Sequence, residues 1–414
     1  MISVKSKPII LLVTILMLGF LLLLIMPSNQ PFNRDILVAG LILCAISIVM
    51  YVVLYFFNMG DVYMFLMTAF LMGIGIIMLF RLNFDYGKKQ ILWFLIGLAF
   101  FFAAYVLIRF VNIFSRLLYV YVGATAAFFV LTLVFGSVTG GSKNWIDLGP
   151  VSIQPSEFIK ILFVFSLACF MDSKLKPDAF FSRKILGFSV RDIAMTGYVY
   201  MCVGFLALQR EWGTALLFLM IFFAALFLHD ENWKLIFVNA AFAITVACIG
   251  YFVTDHIQVR VNTWLDPWAD INGKGHQITQ SLFAITSGGY FGTGLGNGSP
   301  YFIPEVHSDF IFSAICEEMG VFTGIAIIIA YFLFSYRGIK IALGTNNPFL
   351  KSVAMLLTVS FAFQTFIIVG GVIKLIPLTG ITLPFVSYGG SSLVSSFISL
   401  GIIVAISNLE KKML

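Results

Sequence analysis

The chain of 414 residues is 60% hydrophobic and 11% charged, with 46 Phe and a formal net charge of +6. A soluble globular domain carries about 25% charged residues, so this composition excludes one and defines an integral membrane protein. No basic run interleaves with exposed aromatics, which argues against nucleic acid as the partner of the positive charge; cytoplasmic anionic lipid fits it better.

A helix needs about 20 apolar residues to cross the hydrocarbon core. Stretches approaching that length lie at 8–26, 36–57, 62–81, 90–108, 117–136, 157–171, 192–208, 213–228, 233–253, 310–336, 349–373 and 388–407. The predicted fold is therefore all-α and polytopic, with about twelve transmembrane helices. The first span lacks a small-residue cleavage site and a second span follows it, so it reads as a retained helix. The span at 157–171 is short and carries Glu157 and Lys160 at i,i+3 spacing, where they can pair along a helix. Cys44, Cys169, Cys202, Cys248 and Cys316 all lie in spans and form no disulfide or metal pattern.

Basic residues are retained on the cytoplasmic side. With both termini inside, Lys5, Lys7, Arg109, Arg116, Lys174, Lys176, Arg183, Lys184, Arg191, Lys234, Arg337, Lys340, Lys351, Lys411 and Lys412 fall inside. The long 254–309 loop, between the ninth and tenth spans, then lies outside the cytoplasm.

Three outer segments are rich in Gly, Pro and polar residues: 137–156, 254–309 and 374–387. A loop longer than about 12–15 residues is usually functional or disordered. The aromatic residues of 254–309 disfavour disorder. Within it, "HQITQSLFAITSGG" predicts an amphipathic helix with Ile278, Leu282, Phe283 and Ile285 on one side. The glycines of "GGYFGTGLGNG" then allow sharp turns or close approach to a ligand, phosphate included.

Charged residues are scarce, so "TWLDPWADINGKGHQ" (263–277), with Asp266 and Asp270 four apart, stands out. Asp-Pro and Asp-Ile-Asn-Gly are turn sequences whose carboxylates bond local backbone; the alternative is acid–base chemistry. Glu305, His307 and Asp309 at i, i+2 and i+4 invite a metal reading. Glu317 and Glu318 fall in a membrane helix, where charge is costly and either paired, cavity-lining or functional. The small residues of "SYGGSS" (387–392) suit close helix packing, with lining of a polar cavity as the alternative.

Four stretches, "SKNWIDLGPVSIQPSEFIK" (142–160), "WLDPWADINGKGHQITQSLFAITSGGYFGTGLGNG" (264–298), "PEVHSDFIFSAICEEMG" (304–320) and "IPLTGITLPFVSYGGSS" (376–392), together resemble the signatures of the SEDS family, the FtsW, RodA and SpoVE proteins. They occur in the family's order, and the resemblance covers about residues 60–410. It implies a peptidoglycan glycosyltransferase that polymerises lipid II at the outer face of the bacterial cytoplasmic membrane. It also implies a ten-helix core, here 59–414 with its catalytic loop at 254–309, preceded by a two-helix extension at 1–58.

Carried over residue by residue, the resemblance makes Asp270 the catalytic carboxylate. A general base suffices there, because the acceptor 4-hydroxyl must lose a proton while the departing pyrophosphate needs none. Burial against Trp268 and Trp264 would make Asp270 a better proton acceptor. Arg260, ahead of the catalytic loop as an Arg is in the family, is the first candidate for the pyrophosphate, with Lys143 and Arg210 beside it and Lys274 as a rim charge. Glu211, Trp268, Gln277, Glu157, Lys160 and Ser387 complete the expected substrate-binding set.

The chain departs from the family in "QREWGT" (209–214), where Glu211 stands for an Asp, Arg210 for a Pro and Trp212 for a Leu. It departs again at Asn144, which stands where the family often has Arg, and at His276, which replaces a Tyr. The resemblance implies a class B penicillin-binding transpeptidase as partner and leans toward the division and sporulation branch. No cofactor or metal is required by the sequence, although a loosely held Mg²⁺ or Mn²⁺ on the pyrophosphate would need few protein ligands. A lipid II flippase or other transporter, or a weakly active scaffold in a division or sporulation complex, are the competing readings.

Overall fold

The computed structural model describes residues 7–25, 34–139, 141–149, 151–172, 184–185, 188–229 and 233–411. Lys5, Lys174, Lys176, Arg183 and Lys412 of the expected inside set lie outside the described residues.

The chain is built from helices α1 (Lys7–Ile25), α2 (Arg34–Phe56), α3 (Val62–Leu82), α4 (Phe84–Phe110), α5 (Leu118–Phe135), α6 (Pro155–Met171), α7 (Val190–Leu208), α8 (Trp212–His229) and α9 (Trp233–Val253). Then follow α10 (Asp255–Leu265), α11 (His276–Gly288), α12 (Ile311–Met319), α13 (Val321–Leu343), α14 (Pro348–Val372) and α15 (Gly390–Lys411). Each predicted span except 310–336 coincides with a single helix. Among the described residues, nine helices are long and apolar enough to cross a membrane: α1 to α5, α9, α13, α14 and α15. The protein is a multi-pass membrane protein.

Three predicted spans fall short of that standard. Helix α6 has 17 residues, the apolar stretch of α8 is Trp212–Leu228, and α7 opens on Arg191 and Asp192. The expected span at 310–336 is two helices. Gly320 breaks it, with a positive φ of 84° that a side chain rarely adopts, and a Cβ there would stand 2.4 Å from Tyr290 O.

Helices α3, α14 and α15 form the centre, and α15 packs along α4. Glycines set that contact, since a Cβ on Gly401 would meet Phe101 O at 2.4 Å and one on Gly97 would meet the Phe397 ring at 2.6 Å. Helix α9 is the opposite case, with 6% of its span buried. Helices α1 and α2 pack on each other and on α3, where Leu16 fills the space over Gly73.

The 137–156 segment folds into a small antiparallel sheet that the pattern of spans did not predict. Its strands are β1 (Ser137–Thr139), β2 (Ser142–Asp147) and β3 (Ser152–Ile153), in the order β1-β2-β3. A register irregularity between Ser137 and Val138 bends β1, and Trp145 pairs with Ser137. A short pair, β4 (Lys184–Ile185) and β5 (Phe188–Ser189), precedes α7.

Candidate active site

The 254–309 loop is largely helical. Its first helix, α10, was not foreseen; it docks on the 374–387 segment through two side chains. Arg260 Nη1 donates to Leu378 O at 2.8 Å, and Trp264 Nε1 donates to Lys374 O at 3.1 Å. A 3-10 turn, Pro267–Asp270, follows, and Asp266 caps it by accepting from Trp268 N at 3.1 Å. The turn reading of Asp266 therefore holds.

Asp270 ends this turn, exposed to solvent, with Oδ2 accepting from Lys274 N at 3.0 Å. Two glycines make the turn possible. A Cβ on Gly273 would lie 2.4 Å from Asp270 Oδ2, and one on Gly275 would lie 2.1 Å from Pro267 O. The expected burial of Asp270 against Trp264 and Trp268 is absent. The Trp264 indole spends its one donor on Lys374 O, and Trp268, 47% exposed, lies 5.7 Å from the Phe283 ring.

The predicted amphipathic helix is α11, but its buried face differs from the expected one. Ile278, Ser281, Ala284 and Gly288 turn inward, while Phe283 is exposed. Small residues are selected because α11 lies tightly on α12 and α14: Ser281 Oγ is 2.7 Å from Ser313 Oγ, it also donates to Val372 O, and a Cβ on Gly288 would meet Cys316 O at 2.1 Å.

Arg260 reaches Asp309 across Gly380. A Cβ on Gly380 would stand 3.3 Å from Asp309 Oδ2 and 3.5 Å from Arg260 Nη2. Burial pushes the Asp309 carboxyl from 3.8 up to about 6; nearby Glu305 pushes the same way, and Ser308 and Arg260 oppose. Glu305 is exposed, whereas His307 stacks on Tyr86 at 4.5 Å and passes its backbone O to Tyr388 N at 2.9 Å. Glu305 Oε2 stands 3.8 Å from His307 Nε2, while Asp309 lies toward Arg260. Among the described residues no group of three or more His, Cys, Asp or Glu is placed to hold a metal.

Beneath this rim lies a buried polar network. Lys160 Nζ donates to Glu157 Oε2 at 2.8 Å and to Gln364 Oε1 at 2.9 Å. Gln364 Nε2 in turn donates to Thr382 O, and Ser395 Oγ donates to Glu157 Oε2. Glu211 Oε1 accepts from Ser156 Oγ at 2.7 Å, from Thr214 Oγ1 and from Gln154 Nε2. Burial pushes Glu211 from 4.5 up to about 6, against the hydrogen bonds of Ser156, Gln154 and Asn144. Ser156, Glu157, Lys160, Thr214, Leu217, Gln364 and Ile381 enclose a cavity of about 10 Å³, the scale of one water.

Ser387 Oγ donates to Ser308 O and accepts from Leu383 N, tying the 304–309 segment to the start of α15. The two readings of "SYGGSS" divide by residue. Gly390 packs under Trp93, whose Cε2 a Cβ would meet at 2.3 Å, while Ser391 and Ser392 bond Gln154 N and Thr382 Oγ1.

The remaining expected contacts stand apart. Lys143 Nζ donates to Leu133 O at 2.6 Å, on the last turn of α5. Arg210 is exposed with a positive φ of 59°, and Gln277 is half-buried on the first turn of α11. Lys274 is exposed, as a rim charge would be.

The phosphate reading of "GGYFGTGLGNG" is weakened, because several of its amides already have partners within the protein. Gly296 N donates to Glu318 Oε2 and Ser299 N to Glu317 Oε1, while Thr293 N and Gly294 N donate to the backbone of the same two residues. Arg81 of α3 completes the clamp, 2.8 Å from Glu318 Oε1. These are the partners that Glu317 and Glu318 require inside a membrane helix.

Sequence reading passed over Gln364, Ser395 and Arg81, which complete these networks. A lone amide in an apolar span was the usable signal for Gln364; the others needed partners distant in sequence.

Fold and site together define a multi-pass membrane protein with an exposed carboxylate on a braced turn and a separate buried polar network. A family model described as cell cycle protein, covering FtsW, RodA and SpoVE, matches residues 61–412, and the chain belongs to that family. It is 35% identical over 359 residues to the peptidoglycan glycosyltransferase RodA of Mycobacterium tuberculosis strain H37Rv, covering 82% of this chain and 76% of that protein. It is 34% identical over 374 residues to stage V sporulation protein E of Bacillus subtilis strain 168, covering 85% and 98%. The probable FtsW of the same strain is 35% identical over 289 residues, covering 67% and 70%, so identity does not separate the branches. In structure, the chain superposes on a component of a peptidoglycan synthase complex with a TM-score of 0.67 at 24% identity, covering 85% and 98%. Thermus thermophilus RodA gives 0.60 at 23% identity, covering 84% and 96%.

Proposed function

We propose that this chain, a peptidoglycan glycosyltransferase, polymerises lipid II with Asp270 as general base. Asp270 takes the proton of an acceptor 4-hydroxyl, whose oxygen attacks the anomeric carbon of a second lipid II. The bond from that carbon to the pyrophosphate breaks, undecaprenyl pyrophosphate leaves as an anion, and the anomeric configuration inverts. Arg260 is the cation best placed for the pyrophosphate, being half-buried and fixed on Leu378 O. No protein-bound cofactor is required; a Mg²⁺ or Mn²⁺ carried by the pyrophosphate would need few protein ligands.

The observation that carries this reading is an accessible carboxylate on a turn braced from both sides, by α10 on the 374–387 segment and by α11 on α12. The reading places the protein in the bacterial cytoplasmic membrane, with both termini inside and the 254–309 loop outside. It treats 59–414 as the catalytic core of ten spans and 1–58 as a two-helix extension, in keeping with a family match that begins at residue 61. A class B penicillin-binding transpeptidase is its partner. The test is polymerisation of purified lipid II in liposomes, with and without that partner, by wild type and Asp270→Asn. Glycan chains from wild type, with at least a 100-fold loss in the variant at unchanged melting temperature, are expected; chains of equal yield from both would remove Asp270 from the chemistry.

A further inference from the structure

Arg260 and Trp264 stand four apart on one face of α10, and both dock on the 374–387 segment. Two residues beyond Leu378, that segment passes Gly380, which is exposed and takes a positive φ of 72°. Its missing side chain leaves an opening between two charges. A Cβ on Gly380 would stand 3.3 Å from Asp309 Oδ2, 3.5 Å from Arg260 Nη2 and 3.9 Å from Arg260 Nη1, so a single methyl would fill the gap. Among the described residues these two side chains do not join as an ion pair within 4.0 Å, because Arg260 turns Nη1 to Leu378 O instead. Asp309 acts on Arg260 all the same. Burial makes the guanidinium charge harder to keep, and the Asp309 carboxylate opposes that. His256, one turn earlier on α10, adds no charge at neutral pH, since burial and the charges of Arg260 and Arg210 hold it below its ordinary 6.5.

We propose that Asp309 is a positioning residue that acts through Arg260, keeping its guanidinium at the Gly380 opening and weakening its grip on the pyrophosphate so that the product leaves. The inference rests on the assignment of the pyrophosphate to Arg260 made above. The reaction asks two things of that cation. It must steady the pyrophosphate while the bond to the anomeric carbon breaks, and it must then release undecaprenyl pyrophosphate, which carries one more negative charge than the same group esterified to the sugar. An unopposed guanidinium would hold the more highly charged product tighter than the substrate. A carboxylate close enough to repel the product, yet not locked to the guanidinium, corrects that imbalance and leaves the donors of Arg260 free to bind. The opening at Gly380 provides this spacing, since the glycine lets charge and counter-charge share one exposed edge without closing on each other.

The test is equilibrium binding of undecaprenyl pyrophosphate to the full-length protein in nanodiscs at about pH 7.5, where Asp309 is ionised, with undecaprenol as the phosphate-free control. Wild type is compared with Asp309→Asn, Arg260→Gln and the double variant. Asp309→Asn is expected to bind the pyrophosphate about five- to tenfold tighter, Arg260→Gln to bind it weaker by a similar factor, and the double variant to behave as Arg260→Gln does. Undecaprenol binding should not change in any of them. A residue with a merely structural role would lose affinity on substitution, so the gain is the diagnostic sign. Unchanged or weaker binding by Asp309→Asn, or a gain that persists in the absence of Arg260, would overturn the proposal. If Arg260→Gln binds as wild type does, Arg260 is not the pyrophosphate cation, and the assignment made above fails together with this inference. Binding needs no turnover, so each outcome stands whether or not Asp270 is the base.

Discussion

The Glu157–Lys160 network and the Asp270 turn are built in opposite ways. The first is buried among α6, α14 and α15, and each of its charges is held by partners from distant parts of the chain. The second is exposed, and its hydrogen bonds stay within a few residues, from Asp266 to Trp268 and from Lys274 to Asp270. Stability and chemistry are thereby separated. Altering the network should cost folding energy, and altering the turn should cost rate.

The largest effect that would sharpen this contrast is on stability. Lys160→Met leaves Glu157 as a buried charge held by Ser395, at a cost of about 3–5 kcal/mol, whereas Glu157→Gln combined with Lys160→Met recovers much of it. Denaturation in detergent checks this, and a double variant no more stable than Lys160→Met would break the argument for a coupled pair. Asp270→Asn should leave the melting temperature where it was.

Next comes a change of geometry without change of charge. Gly275→Ala forces a Cβ toward Pro267 O and shifts the turn that carries Asp270. A displacement of about 1 Å in a reacting group costs on the order of 100-fold in rate, so kcat should fall by that factor with a small change in melting. Full activity in this variant would show that the turn does not place the base.

The smallest effect is on pH dependence. The folded protein holds the protons of Asp309 and Glu211 up to about 6, while the unfolded chain releases them near 3.8 and 4.5. The native state therefore binds more protons in that interval, and stability falls as pH rises from about 4 to 6, then levels. Melting across pH 4–8 should show this slope, and Asp309→Asn with Glu211→Gln should flatten it; an unaltered slope would place the titration elsewhere.

Much of the site could be read from the sequence, and for a physical reason. Asp266, Asp270 and the glycines of 263–277 bond within their own turn, so local pattern carried that geometry. The Glu157–Lys160 pair was legible because i,i+3 spacing on a helix brings two side chains together whatever surrounds them. The burial expected of Asp270 was not legible, since it depended on where Trp264 found an acceptor, a residue more than a hundred positions away.

By itself, the sequence determined that the chain lives in a membrane, roughly where its helices run, and which family its motifs resemble. Hydrophobic length and short-range turn preferences are properties of contiguous residues. Only the tertiary structure decided that Gly320 splits a span, that Glu317, Glu318 and Arg81 clamp the glycine loop, and that Lys160 and Glu157 find Gln364 and Ser395. Each of these depends on closing a long stretch of chain around a partner, and a one-dimensional pattern holds no record of which distant partner is met.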